Sequence, residues 1–71
     1  MPITRLLQGS DFDAVDVKIL TSAFEDSLRE MHLARTDPIA VIVAKNVIRF
    51  ARTGERYPTR LRELATEFLR D

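Results

Sequence analysis

Few side chains in this sequence have the type and spacing that covalent chemistry needs. Nucleophilic catalysis requires an activated nucleophile beside a base that a third group orients. The chain has no cysteine and one histidine, His32, and Ser10, Ser22 and Ser27 stand outside any glycine-rich elbow. His32 falls near the C-terminal end of a helical pattern, where an imidazolium meets the negative end of the helix dipole and can bond the last carbonyls. It is read as a helix-end residue. Asp11, Asp13 and Asp16 form a short acidic cluster, but a calcium loop needs oxygen donors at alternating positions and a glycine at its sharp turn. Helix capping accounts for the cluster instead. Gly54 is isolated and lacks the companions of a phosphate-cradling loop. The expectation is a chain with no catalytic residue, no cofactor site and no metal site, and hence not an enzyme.

Binding chemistry has more material. The segment RFARTGERYPTRLR, Arg49 to Arg62, is the densest concentration of positive charge. Lys45, Arg49, Arg52 and Arg56 follow one another at steps of four, three and four, the spacing of one helix face, and Arg60 extends the patch. Such a stripe serves as the solvated side of an amphipathic helix, as a docking face for an acidic protein, or as the basic face of a nucleic-acid reader of the helix-turn-helix kind. Glu55, Glu63 and Glu67 stand among these cations and dilute the footprint expected of a nucleic-acid site. If Val43, Val47 and Phe50 face inward, then Val41 and Ile42 fall near the Lys45 side and Ile48 at the boundary. These three are candidates for self-association, to be covered by an N-terminal arm through Leu6 and Leu7 or by a second chain.

Composition narrows the setting. Seventy-one residues allow one domain, near the lower limit at which a core folds without disulfide, metal or partner subunit. Eleven basic and eleven acidic residues balance to zero, which argues against wholesale binding to nucleic acid or anionic membrane. The charge is unevenly spread: residues 1 to 34 carry a net −3 and residues 35 to 71 a net +3. The absence of cysteine fits a reducing compartment. The longest apolar run, Ile39 to Ala44, is six residues, against the roughly 20 of a membrane-spanning helix, and the first residues lack the apolar core of a secretion signal. A soluble, cytoplasmic protein without membrane contact is expected.

The elements that must position these residues are helices. Val17, Leu20, Phe24, Leu28 and Met31 recur at steps of three or four, predicting a first helix over residues 14 to 32, capped by Asp13 and stapled by Phe12 against Val17. Asp37-Pro38 opens a second helix, as a capping carboxylate followed by proline at the first helical position. Its β-branched residues, from Ile39 to Ile48, individually suit a strand better. Helix is still preferred, because no other segment offers a partner strand and Lys45, Arg49 and Arg52 keep helical spacing. Gly54 supplies the left-handed terminator, and Tyr57-Pro58 opens a third helix carrying Leu61, Leu64, Ala65 and Phe68 inward. The fold class is all-α, a compact three-helix bundle of residues 13 to 71 with an arm of residues 1 to 12. Phe24, Val47, Phe50, Leu61, Leu64 and Phe68 are expected to share the core.

The combination AKNVIRFARTGERYPTRLREL, Ala44 to Leu64, resembles a group of small helical proteins found mainly in alphaproteobacteria, in which a second helix ends at Gly-Glu-Arg and a proline-initiated helix with Arg-Leu-Arg follows. Tyr57 departs from it, standing where the group often has Asp, a side chain able to accept the first-turn amides. The resemblance implies a helical fold and no particular activity. Function is therefore expected at the level of a cytosolic helical module acting through contacts with an unidentified protein, as a regulator or accessory subunit, and existing as a monomer or weak homodimer. The alternative is a nucleic-acid-binding module using Lys45, Arg49, Arg52, Arg56 and Arg60.

Overall fold

The computed structural model describes residues 12 to 69. The expected N-terminal arm, apart from Phe12, lies outside the described residues. Three helices form an all-α bundle: α1, Ala14–Met31; α2, Pro38–Arg52; and α3, Pro58–Thr66, which runs into a 3-10 turn, Glu67–Leu69. Each helix packs on the other two.

Local chemistry sets the boundaries. The Asp13 carboxylate accepts from the Asp16 amide at 2.8 Å and Asp16 returns the contact to the Asp13 amide at 3.4 Å, a reciprocal capping box. α1 ends where His32 turns left-handed, with φ 55°, and the Leu33 amide donates to the Leu28 carbonyl at 2.9 Å, the wide bond of a Schellman motif. Asp37 caps α2 through the Ile39 amide at 2.9 Å, with Pro38 at the first position. At the other end Gly54 has φ 106° and its amide donates to the Ala51 carbonyl at 3.0 Å. Tyr57 gives α3 no side-chain cap. The Glu55 carboxylate instead accepts from the Arg56 and Tyr57 amides at 3.1 and 3.2 Å, ordering the turn just before the helix.

Burial overrides strand propensity in α2. Val43 and Val47 are fully buried, and the helix adds Ala40, Ala44, Ile48 and Ala51 to a core that receives Leu20, Ala23, Phe24 and Leu28 from α1 and Leu61 and Ala65 from α3. Three expected core members need correction. Phe50 and Leu64 are half-buried, and Phe68 is 47% exposed. The inward seam of α3 runs through Leu61, Ala65 and Leu69 at steps of four, with Leu69 packed on the core. The α-helix stops at Thr66, and the tighter 3-10 turn leaves Phe68 outside.

The buried hydroxyls of Ser27 and Thr66 bond within their own helices, whereas Thr21 Oγ1 is buried without a hydrogen-bond partner. Ser27 donates to the Ala23 carbonyl at 2.7 Å and Thr66 to the Arg62 carbonyl at 2.8 Å. The Asn46 amide crosses from α2 to the Ala65 carbonyl at 3.2 Å, one of the last helical carbonyls of α3 that lack an intrahelical partner.

Candidate functional site

Pro38, Ile42, Lys45, Arg49 and Arg52 form the exposed ridge of α2, at the alternating steps of four and three that keep one helix face outward. Beside this ridge Ile48 is only 8% exposed. Lys45, Ile48, Arg49 and Arg52 line an open groove of about 300 Å³. Their positions are i, i+3, i+4 and i+7, the four neighbours that enclose a hole on a helix surface. The floor is an isoleucine and the rim carries three cations. Arg49 also lies over the Phe50 ring, 4.9 Å from its centroid.

α2 contains no Asp or Glu, so its cations have no carboxylate on their own helix. The acids of α1 are committed elsewhere: Asp16 to Arg56, Glu25 to Arg35, Asp26 to Arg29 and Glu30 to Arg62. Among the described residues Lys45, Arg49 and Arg52 make no ion pair, which leaves a net +3 on this face.

Two residues of the expected stripe do not belong to it. Arg56 lies beyond the break at Gly54, and its side chain turns back to the bundle. Its Nε donates to Asp16 Oδ1 at 2.9 Å, one terminal nitrogen donates to the carbonyls of Ala51 and Glu55, and its guanidinium carbon lies 5.2 Å from the Phe12 ring centroid. It fastens the corner between α2 and α3 to the start of α1. Arg60 sits on α3, where it lines a second groove of about 480 Å³ with Glu63, Leu64 and Glu67. That set is again i, i+3, i+4 and i+7. The structure thus brings Lys45, Arg49 and Arg52 together and separates Arg56 and Arg60 from them.

Of the residues expected to mediate self-association, Ile42 is 47% exposed, Val41 is half-buried, and Ile48 is buried. Ile48 offers a floor rather than a protruding contact. Packing α2 on α2 of a second copy would bring six uncompensated cations together, because the helix has no acids to offset them. Like charges across an interface are costly.

Of the groups considered for chemistry, Ser10 and Asp11 lie outside the described residues, and the others are dispersed. His32 is exposed at the left-handed end of α1 and Ser27 is buried in its helix, while Asp13 and Asp16 are engaged in the cap. Among the described residues no group of three His, Asp or Glu side chains could hold a metal ion, and no helix is long and apolar enough to cross a membrane.

The turn between α2 and α3 covers residues 53 to 57, longer than the three or four residues that usually join a DNA-reading helix-turn-helix. In the position of its second helix, α3 carries Glu63, and Glu67 follows in the 3-10 turn. The α3 groove was not among the sequence-predicted sites. Its sequence signal is the spacing of Arg60, Glu63, Leu64 and Glu67, masked by the apolar character of Leu64 and Phe68, which suits an inward face. Comparison with protein-family models, curated proteins and solved structures gives no match.

Proposed function

We propose that this chain is a small, non-enzymatic, cytoplasmic helical module that acts through protein contacts, as a regulator or accessory subunit, with the outer face of α2 as its docking surface. The observation that carries the reading is the groove of Lys45, Ile48, Arg49 and Arg52: three cations without carboxylate partners around an apolar floor, at the spacing that receives a side chain of a facing helix. An apolar floor ringed by cations suits a facing helix better than a phosphate backbone. The complementary partner is a helix that offers an apolar side chain flanked by carboxylates. Exposed ion pairs contribute about 0.2 to 1 kcal/mol each, so the cations supply orientation and encounter rate while the apolar contact supplies residence time. The absence of cysteine supports a reducing compartment.

The test is fluorescence anisotropy with a labelled acidic amphipathic peptide and, in parallel, with mixed-sequence duplex DNA. The peptide is expected to bind wild type and to lose binding when Arg49 and Arg52 are changed to Glu. Sub-micromolar DNA binding near about 150 mM salt, abolished by the same changes, would overturn the reading in favour of a nucleic-acid module.

A further inference from the structure

Resting on the reading of the α2 face as a docking surface, we infer that its partner is a second copy of this chain, which presents the outer face of α3. The two faces are complementary in chemistry and in form. On α2, Lys45, Arg49 and Arg52 surround Ile48, with Ile42 exposed one turn earlier. On α3 and the 3-10 turn that continues it, Glu63 and Glu67 flank Leu64, and Phe68 follows with 47% of its surface exposed. Both helices offer the same four-residue hole, so a side chain from each can seat in the other as ridges enter grooves in ordinary helix packing. Glu63 and Glu67 make no ion pair within their own chain among the described residues, and Lys45, Arg49 and Arg52 lack the carboxylates that these two would provide.

The α3 face also carries one cation, Arg60, at its N-terminal end. That leaves it net −1 against the net +3 of the α2 face, an attractive combination that α2 on α2 does not have. Phe68 adds a large exposed aromatic beside these carboxylates. Because the contact joins unlike faces, it closes as a two-fold dimer where both pairs engage reciprocally and extends head to tail where they do not.

The experiment measures the mass of the full chain in solution by light scattering and sedimentation, from about 1 μM to about 1 mM. Mass is expected to rise above that of the monomer with concentration, and association to weaken as salt is raised. A triple variant, Lys45→Glu, Arg49→Glu and Arg52→Glu, makes both faces acidic. A double variant, Glu63→Lys and Glu67→Lys, makes both basic. Each is expected to remain monomeric alone with wild-type circular dichroism, and an equimolar mixture is expected to assemble again. Adding Phe68→Ser to both variants leaves their charges unchanged and is expected to weaken that assembly at least tenfold. Mixed assembly equally strong without Phe68 would mean charge attraction alone and would overturn the assignment. So would a wild-type chain that stays monomeric throughout the range. In that case peptide binding to the α2 face would still be decided separately by the anisotropy assay.

Discussion

Replacing Arg56 by Ala is expected to destabilise the fold by about 2 to 3 kcal/mol. The magnitude follows from the contacts of one guanidinium. Its pair with Asp16, at 2.9 Å and with side chains 35% and 23% exposed, lies between a surface pair and a buried one and contributes about 1 kcal/mol. The bonds to the carbonyls of Ala51 and Glu55 add about 1 kcal/mol each at most, since both carbonyls can be hydrated when the side chain is removed. A domain of 71 residues has a total stability of about 4 to 10 kcal/mol, so the loss is a large share of it and should lower Tm by roughly 10 to 20 °C. Arg56→Lys keeps the charge, but one ammonium cannot reach the carboxylate and both carbonyls as a planar fork does, and the variant should lose about half as much. Urea melts of both variants measure these differences. A double-mutant cycle with Asp16→Asn isolates the ion pair, because Asn keeps an oxygen for the capping box while removing the charge. An Arg56→Ala loss below about 0.5 kcal/mol would place Arg56 among ordinary surface residues and refute the fastening role. Equal stability of Arg56→Lys and wild type would reduce the contact to simple charge attraction.

Phe24→Ala, at a site only 2% exposed, is expected to cost about 3 to 5 kcal/mol, whereas Phe68→Ala should cost less than about 1 kcal/mol when measured by urea melts at low protein concentration; comparable losses at both would restore Phe68 to the core. His32→Gly is expected to stabilise by about 0.5 to 1 kcal/mol, because glycine relieves the left-handed conformation at φ 55°. Gly54→Ala should do the reverse at φ 106°, by about 1 kcal/mol, even though an added β-carbon meets no atom within 4 Å. Thermal melts check the pair, and a destabilised His32→Gly or a stabilised Gly54→Ala would refute the left-handed ends.

The features legible in the sequence are those with a local cause. Asp13, Asp37-Pro38, Gly54 and Tyr57-Pro58 mark helix ends through groups within a few residues of themselves, and all appear where the chain was expected to turn. The helical state of α2 was legible only by weighing partners against propensity, since its β-branched residues are held by burial. Phe68 was misplaced because the point where α3 tightens into a 3-10 turn depends on how Leu69 meets the core. Arg56 was misplaced for a more instructive reason. Its step of four from Arg52 continues the stripe only if the helix runs through Gly54, the residue read as its terminator. Its carboxylate partner, Asp16, is 40 residues away in the chain, and such a contact has no local signature. Lys45, Arg49 and Arg52 were legible as a face, while the role of Ile48 as its floor required knowing how deeply α2 is set against its neighbours.

Among the described residues, alanine supplies five of the twelve buried apolar side chains: Ala23, Ala40, Ala44, Ala51 and Ala65. Such a side chain has no rotamer freedom to lose on ordering, which lowers the entropic cost of assembling a core from so short a chain. It also lets the helix axes approach closely, so the spacing between backbones, more than the filling of volume, limits what the interior accepts. Mutational tolerance should therefore be lopsided. Trimming a half-buried side chain at the margin removes modest area, but enlarging an alanine at the seam separates whole helices, at about 1 to 3 kcal/mol or more. Outside the docking faces, drift in this chain would then be held most narrowly at its smallest side chains.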